Sequence, residues 1–222
     1  MAVAACGLIA MAIFPEATAA APVIATISLP GAELQFPLPD GYCLPQGQYD
    51  AIAKVTAAAD TTNATDLSYD SCAEMKAGQD LAHFGMVKTP KEALLQSYSL
   101  PELVASFKAA LGSGELRKAL EDPKMLDSAK TDLKSVLGKD PTVSATIQPV
   151  DVDENGAYLA GTVTVSVDGK ADVSAIAAGI TVVKTKLVMC YFYAPFHSLA
   201  DVADVLKAAK AETALFIRQN GS

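Results

Sequence analysis

Seven consecutive residues, Leu187 to Tyr193, are apolar without a break: Leu-Val-Met-Cys-Tyr-Phe-Tyr. They follow Ile180-Thr-Val-Val-Lys-Thr-Lys, and the stretch from Ile180 to Tyr193 has the β-branched and aromatic content of one long strand. Side chains of a strand leave alternately on opposite faces. A strand apolar at every position therefore has to be covered on both sides, which places it inside a layered fold. The amphipathic run after Ser198 supplies one cover, with Val202, Leu206, Ala209, Thr213 and Phe216 as its buried stripe. Lys184 and Lys186 mark the end where the strand meets water, with a basic anion site as the functional alternative.

The other end of the chain carries a targeting pattern. Ala2 to Phe14 is almost wholly apolar or small, and Pro15 then precedes Ala17-Thr18-Ala19, a small-x-small cleavage site. We read residues 1–19 as a signal peptide, although no Lys or Arg precedes the apolar run. An Ala-rich buried helix broken at Pro15 is the other reading. The run is too short to span a bilayer, which takes roughly 20 apolar residues. Cleavage would remove Cys6 and leave Cys43, Cys72 and Cys190 where disulfides persist. Cys43 and Cys72 sit in loop-like or strand-edge contexts and are the expected pair, worth roughly 3.5 kcal/mol by loop entropy. Cys190, inside the apolar strand, is expected as a buried hydrophobe, with Cys43–Cys190 as the alternative pairing.

Between these ends the hydrophobic period changes twice. Val23–Leu29 and Leu34–Leu38 read as strands, and Pro39-Asp40-Gly41 as a turn. Pro45–Ala58 follows as a helix. Leu67–Tyr69 with Cys72–Met75, and then Leu81–Val87, read as strands. From Ser99 to Gly138 the period is helical, opening on a Ser99–Glu102 capping box. Pro141–Val152 and Ala157–Val167 then form a hairpin about Asp153-Glu154-Asn155-Gly156, and Ala171–Ala178 is ambiguous. No linker divides residues 20–222, so one domain is expected. The pattern is α+β, a mostly antiparallel sheet with helices on both faces. The layout resembles the Mog1/PsbP-like α/β/α sandwich: a hairpin with a Pro-rich return at Phe36-Pro37-Leu38-Pro39-Asp40-Gly41, a long hairpin, an aromatic-ended strand Val182–Tyr193, and a closing helix. That resemblance implies an accessory or binding protein and no particular partner, since a fold does not transfer a function.

Chemistry-bearing motifs are few. Asp151-Val-Asp153-Glu-Asn155-Gly156 matches the start of a calcium loop, making Asp151, Asp153 and Asn155 the candidate metal ligands. Thr162 stands where the bidentate Glu belongs, so an acidic hairpin turn is the favoured reading. His83 and His197 are the two histidines, and no zinc spacing joins them to Cys or carboxylates. Tyr193, Phe196 and His197, at a strand end, are the candidate binding residues. A net charge of −8, from 25 acidic and 17 scattered basic residues, argues against nucleic acid. The expectation is an exported accessory or binding protein without a cofactor, its partner a protein or small molecule. The alternatives are a hydrolase whose site forms only in three dimensions, or a calcium-stabilised module.

Overall fold

The structure is a computed structural model that describes residues 23–120 and 122–221. The leader expected over residues 1–19 lies outside the described residues. In chain order the elements are β1 (Ile24–Leu29), β2 (Ala32–Pro37), β3 (Tyr42–Cys43), α1 (Gln48–Ala59), β4 (Asn63–Ser71), α2 (Cys72–Ala77) and β5 (Phe84–Pro90). Then come α3 (Leu100–Ser113), α4 (Glu115–Leu120), α5 (Pro123–Leu137), β6 (Thr142–Val152), β7 (Ala157–Val167), β8 (Lys170–Val183), β9 (Lys186–Pro195) and α6 (Leu199–Gln219). Seven strands form an antiparallel sheet ordered β3-β4-β5-β9-β8-β7-β6, and β1–β2 is a separate hairpin. The apolar strand β9 is the middle strand of the seven, as its two-sided hydrophobicity requires.

Burial alternates along β9. Val188, Cys190 and Phe192 are fully buried on the face that meets α6 and the β1–β2 hairpin. Aromatic rings tie these three pieces together. Phe36 of β2 meets Phe216 of α6 edge-on at 5.0 Å and stacks on Tyr69 of β4 at 5.4 Å; Tyr69 meets Phe192 at 5.7 Å. Each such ring contributes roughly 2–3 kcal/mol by leaving water. Gly179 lets the helix come this close, since a Cβ there would collide with the Thr213 hydroxyl of α6. Asn220 fastens the far end: its amide accepts from the Gln35 N–H at 2.9 Å and donates to the Gln35 carbonyl at 2.9 Å. On the sheet's other face Ile176, Ala178 and Val182 are also buried. There α3 lies near β8 and β6, α4 and α5 near β6, and α1 against α5 and β4. The architecture is thus α+β, with helices on both faces of an antiparallel sheet.

Four local expectations change. Ile180–Tyr193 is not one strand: Lys184 and Thr185, at φ +46° and +68°, turn β8 into β9, and the ambiguous Ala171–Ala178 belongs to β8. That turn lacks the Asn-Gly signature of the left-handed region, so the sequence hides it. Consequently Lys186 does not emerge into water. It is buried, and its ammonium donates to the carbonyls of Leu94 (3.1 Å) and Gln96 (3.3 Å). Cys72–Met75 is helical: Ser71 caps α2 by accepting from the Glu74 N–H, and Gly78 ends it at φ +66°. Finally, Ser99 makes no side-chain cap bond, Pro101 having removed one of the amides a cap would serve.

Candidate functional site

The three residues proposed for a metal are brought to one turn. Val152 ends β6 and Ala157 begins β7, which sets Asp151 and Asp153 beside the outer side of α6. The Lys210 ammonium of α6 bonds the Asp151 carboxylate and lies 3.9 Å from that of Asp153. It also sits 5.1 Å from the Tyr158 ring, whose hydroxyl donates to Asp153 at 3.1 Å. Bonding to Lys210 holds the Asp151 carboxyl below its ordinary range. Asn155 contributes backbone: its N–H donates to Asp153 and its carbonyl accepts from Thr181. A lysine ammonium therefore supplies the positive charge for this turn. Among the described residues no group of three His, Cys, Asp or Glu could hold a metal ion.

The strand-end candidates part company. Tyr193 stacks face to face on Phe84 at 4.5 Å, on the side of β9 away from α6. Phe196 packs against the main core, and His197 stands in water at 79% side-chain exposure. The carboxylate of Asp201 accepts from the backbone N–H of both His197 and Ser198 at 2.7 Å, completing the capping box of α6. Those bonds hold Asp201 below its ordinary pKa.

His83 belongs to a different corner. The disulfide Cys43–Cys72, with Cα atoms 5.2 Å apart, fastens β3 to the start of α2 as expected, and among the described residues Cys190 is a buried free thiol. Glu74 of α2 accepts from the backbone N–H groups of Ala82 and His83 and meets the His83 ring at 2.6 Å. Burial opposes its charge, but these bonds keep its pKa below the ordinary value. Asp70 nearby is pushed up to about 6 by burial and by the Glu74 charge.

Besides Asp70, two further buried carboxylates escaped sequence reasoning. Asp60, just past α1, accepts from the backbone of Thr62 and Asn63 and from the Lys88 ammonium at 2.7 Å. Nothing in the spacing announces that pair, which joins residues on separate elements. Glu212 is buried in α6 against the sheet, and one of its carboxylate oxygens has no partner. Its position was legible, because Ala209, Glu212 and Phe216 follow helical spacing on one stripe.

No family model and no curated protein matches the chain. Among solved structures it is similar to the solution structure of cyanobacterial PsbP from Synechocystis, with 11% identity over 81% of this chain and 84% of that one, at a TM-score of 0.39. No helix among the described residues is long and apolar enough to cross a membrane.

Proposed function

We propose that the chain is an exported, non-catalytic accessory or binding protein, periplasmic or secreted, that folds as one domain over residues 20–222 once residues 1–19 are cleaved. One observation carries the reading. The side chains to which acid–base chemistry would turn are committed to holding backbone. Glu74, the partner of His83, binds two amides, and Asp201, beside His197, caps a helix. The disulfide supports an oxidising compartment. An apolar surface supports a partner: Ile52 and Val55, one turn apart on α1, are both more than half exposed.

Two measurements test this. The full chain expressed in a Gram-negative host should accumulate in the periplasm with Ala20 as its first residue and one titratable thiol when unfolded. Cytoplasmic, uncleaved, fully reduced protein would overturn export. Purified protein should show no turnover across a panel of ester, peptide and glycoside substrates. Hydrolysis that disappears on His83→Ala or His197→Ala would replace this reading with the enzymatic one.

A further inference from the structure

The two edges of the seven-stranded sheet are built differently. One edge is β3, two residues long and fastened by the disulfide. The other is β6, eleven residues long. Long edges are normally blunted by charges, bulges or a covering segment, because their unpaired amides and carbonyls invite another strand. On β6 the proline and the bulge come late, at Pro149 and between Pro149 and Asp151. From Thr142 to Gln148 there is no charged residue, in a chain whose net charge is −8. Among the described residues, no group outside the β6–β7 hairpin bonds to that stretch.

Its backbone direction is fixed from two sides. The Thr146 carbonyl faces Gly161 of β7, so even-numbered residues bond inward. Proline is tolerated in an edge strand where its missing N–H faces outward, which agrees with Pro149 being odd-numbered. The free groups are therefore those of Val143, Ala145 and Ile147. The side chains alternate as strictly: Thr142, Ser144, Thr146 and Gln148 are exposed, and Val143, Ala145 and Ile147 half-buried.

We propose that β6 pairs with β6 of a second copy, antiparallel about a two-fold axis at Ala145, so that one sheet runs through two molecules. An isologous contact demands a self-complementary sequence, and this stretch meets the demand. About Ala145, Val143 faces Ile147 of the second copy, Ser144 faces Thr146 and Thr142 faces Gln148. Apolar thus meets apolar and hydroxyl or amide meets its like. Pro141 and Pro149 fall opposite one another just outside the ladder, where neither blocks a bond. Two acidic molecules also approach here through the part of the edge that carries no charge. This inference does not depend on the export reading.

Sedimentation equilibrium of the purified full chain from about 1 to about 100 μM should show a monomer–dimer equilibrium. Hydrogen exchange at the Val143, Ala145 and Ile147 amides should slow as the dimer forms. Ser144→Lys with Thr146→Lys places lysines opposite one another in the dimer but in water in the monomer. This double variant should weaken association at least tenfold with unchanged circular dichroism and melting. Ala145→Pro removes the central outward N–H and should give a monomer. A chain that stays monomeric throughout overturns the proposal, as does a dimer in which those three amides exchange freely or which the lysine pair leaves intact.

Discussion

Asp60 and Glu212 are both nearly sealed from water, at 7% and 5% exposure, and their surroundings push them in opposite directions. Burial alone would raise both. At Asp60 the Lys88 ammonium and the amides of Asn63 and Thr62 outweigh burial and hold the carboxyl below its ordinary pKa. At Glu212 burial goes unopposed and the Asp40 charge adds to it, raising the carboxyl from an ordinary 4.5 to about 8. Burial sets the cost of a charge; the partner decides whether the protein keeps it. The Asp60 corner is thus a polar joint among α1, β4 and β5. Under α6, Glu212 is a neutral filler at neutral pH.

The contrast can be broken by substitution. The largest expected effect is Asp60→Ala, which leaves the largely buried Lys88 without its carboxylate. Urea unfolding at pH 7 should show a loss of about 4 kcal/mol, and Lys88→Met in the same chain should restore part of it. Because its folded pKa is lowered, Asp60 stabilises above the ordinary carboxylate pKa, and that contribution is lost as pH falls through the folded value. The sign at Glu212 is opposite. Its folded pKa is raised, so the unfolded chain gives up the proton first, and stability falls as pH climbs from 4.5 to about 8. Glu212→Gln should therefore match the parent near pH 4 and exceed it by about 5 kcal/mol at pH 9. A parallel decline in both proteins would show that Glu212 has an unrecognised partner.

The smallest effect belongs to a third carboxylate site, in water. Lys210 and Asp151 are about a third and a half exposed, so Lys210→Ala should cost less than about 1 kcal/mol. Millimolar calcium should not shift the melting of the parent chain, because the Lys210 ammonium already bonds Asp151 and lies against Asp153. A calcium-dependent rise in melting temperature would favour the metal reading of that turn.

The buried carboxylates also show where sequence reading stops. Glu212 could be placed on the inner stripe of α6 by spacing alone, yet nothing nearby in sequence shows that one oxygen lacks a partner. For Asp60 not even the burial was legible, since it sits in a polar loop signal, Asp-Thr-Thr-Asn. Lys186 misled for a related reason. Two carbonyls from the segment before α3 accept hydrogen bonds from its ammonium in the interior, and they lie about ninety residues away along the chain.

By itself the sequence determined the alternation of periods, the central place of Leu187–Tyr193, the Asn155-Gly156 hairpin and the buried stripe of α6. These follow from local spacing and from apolar side chains that must leave water wherever the chain goes. Only the tertiary structure decided that Lys184-Thr185 turns one apparent strand into two, that a lysine ammonium serves Asp151 and Asp153, and which buried acids keep their charge. Those outcomes rest on groups that meet across the fold, and the energy of a charge depends on what surrounds it in space.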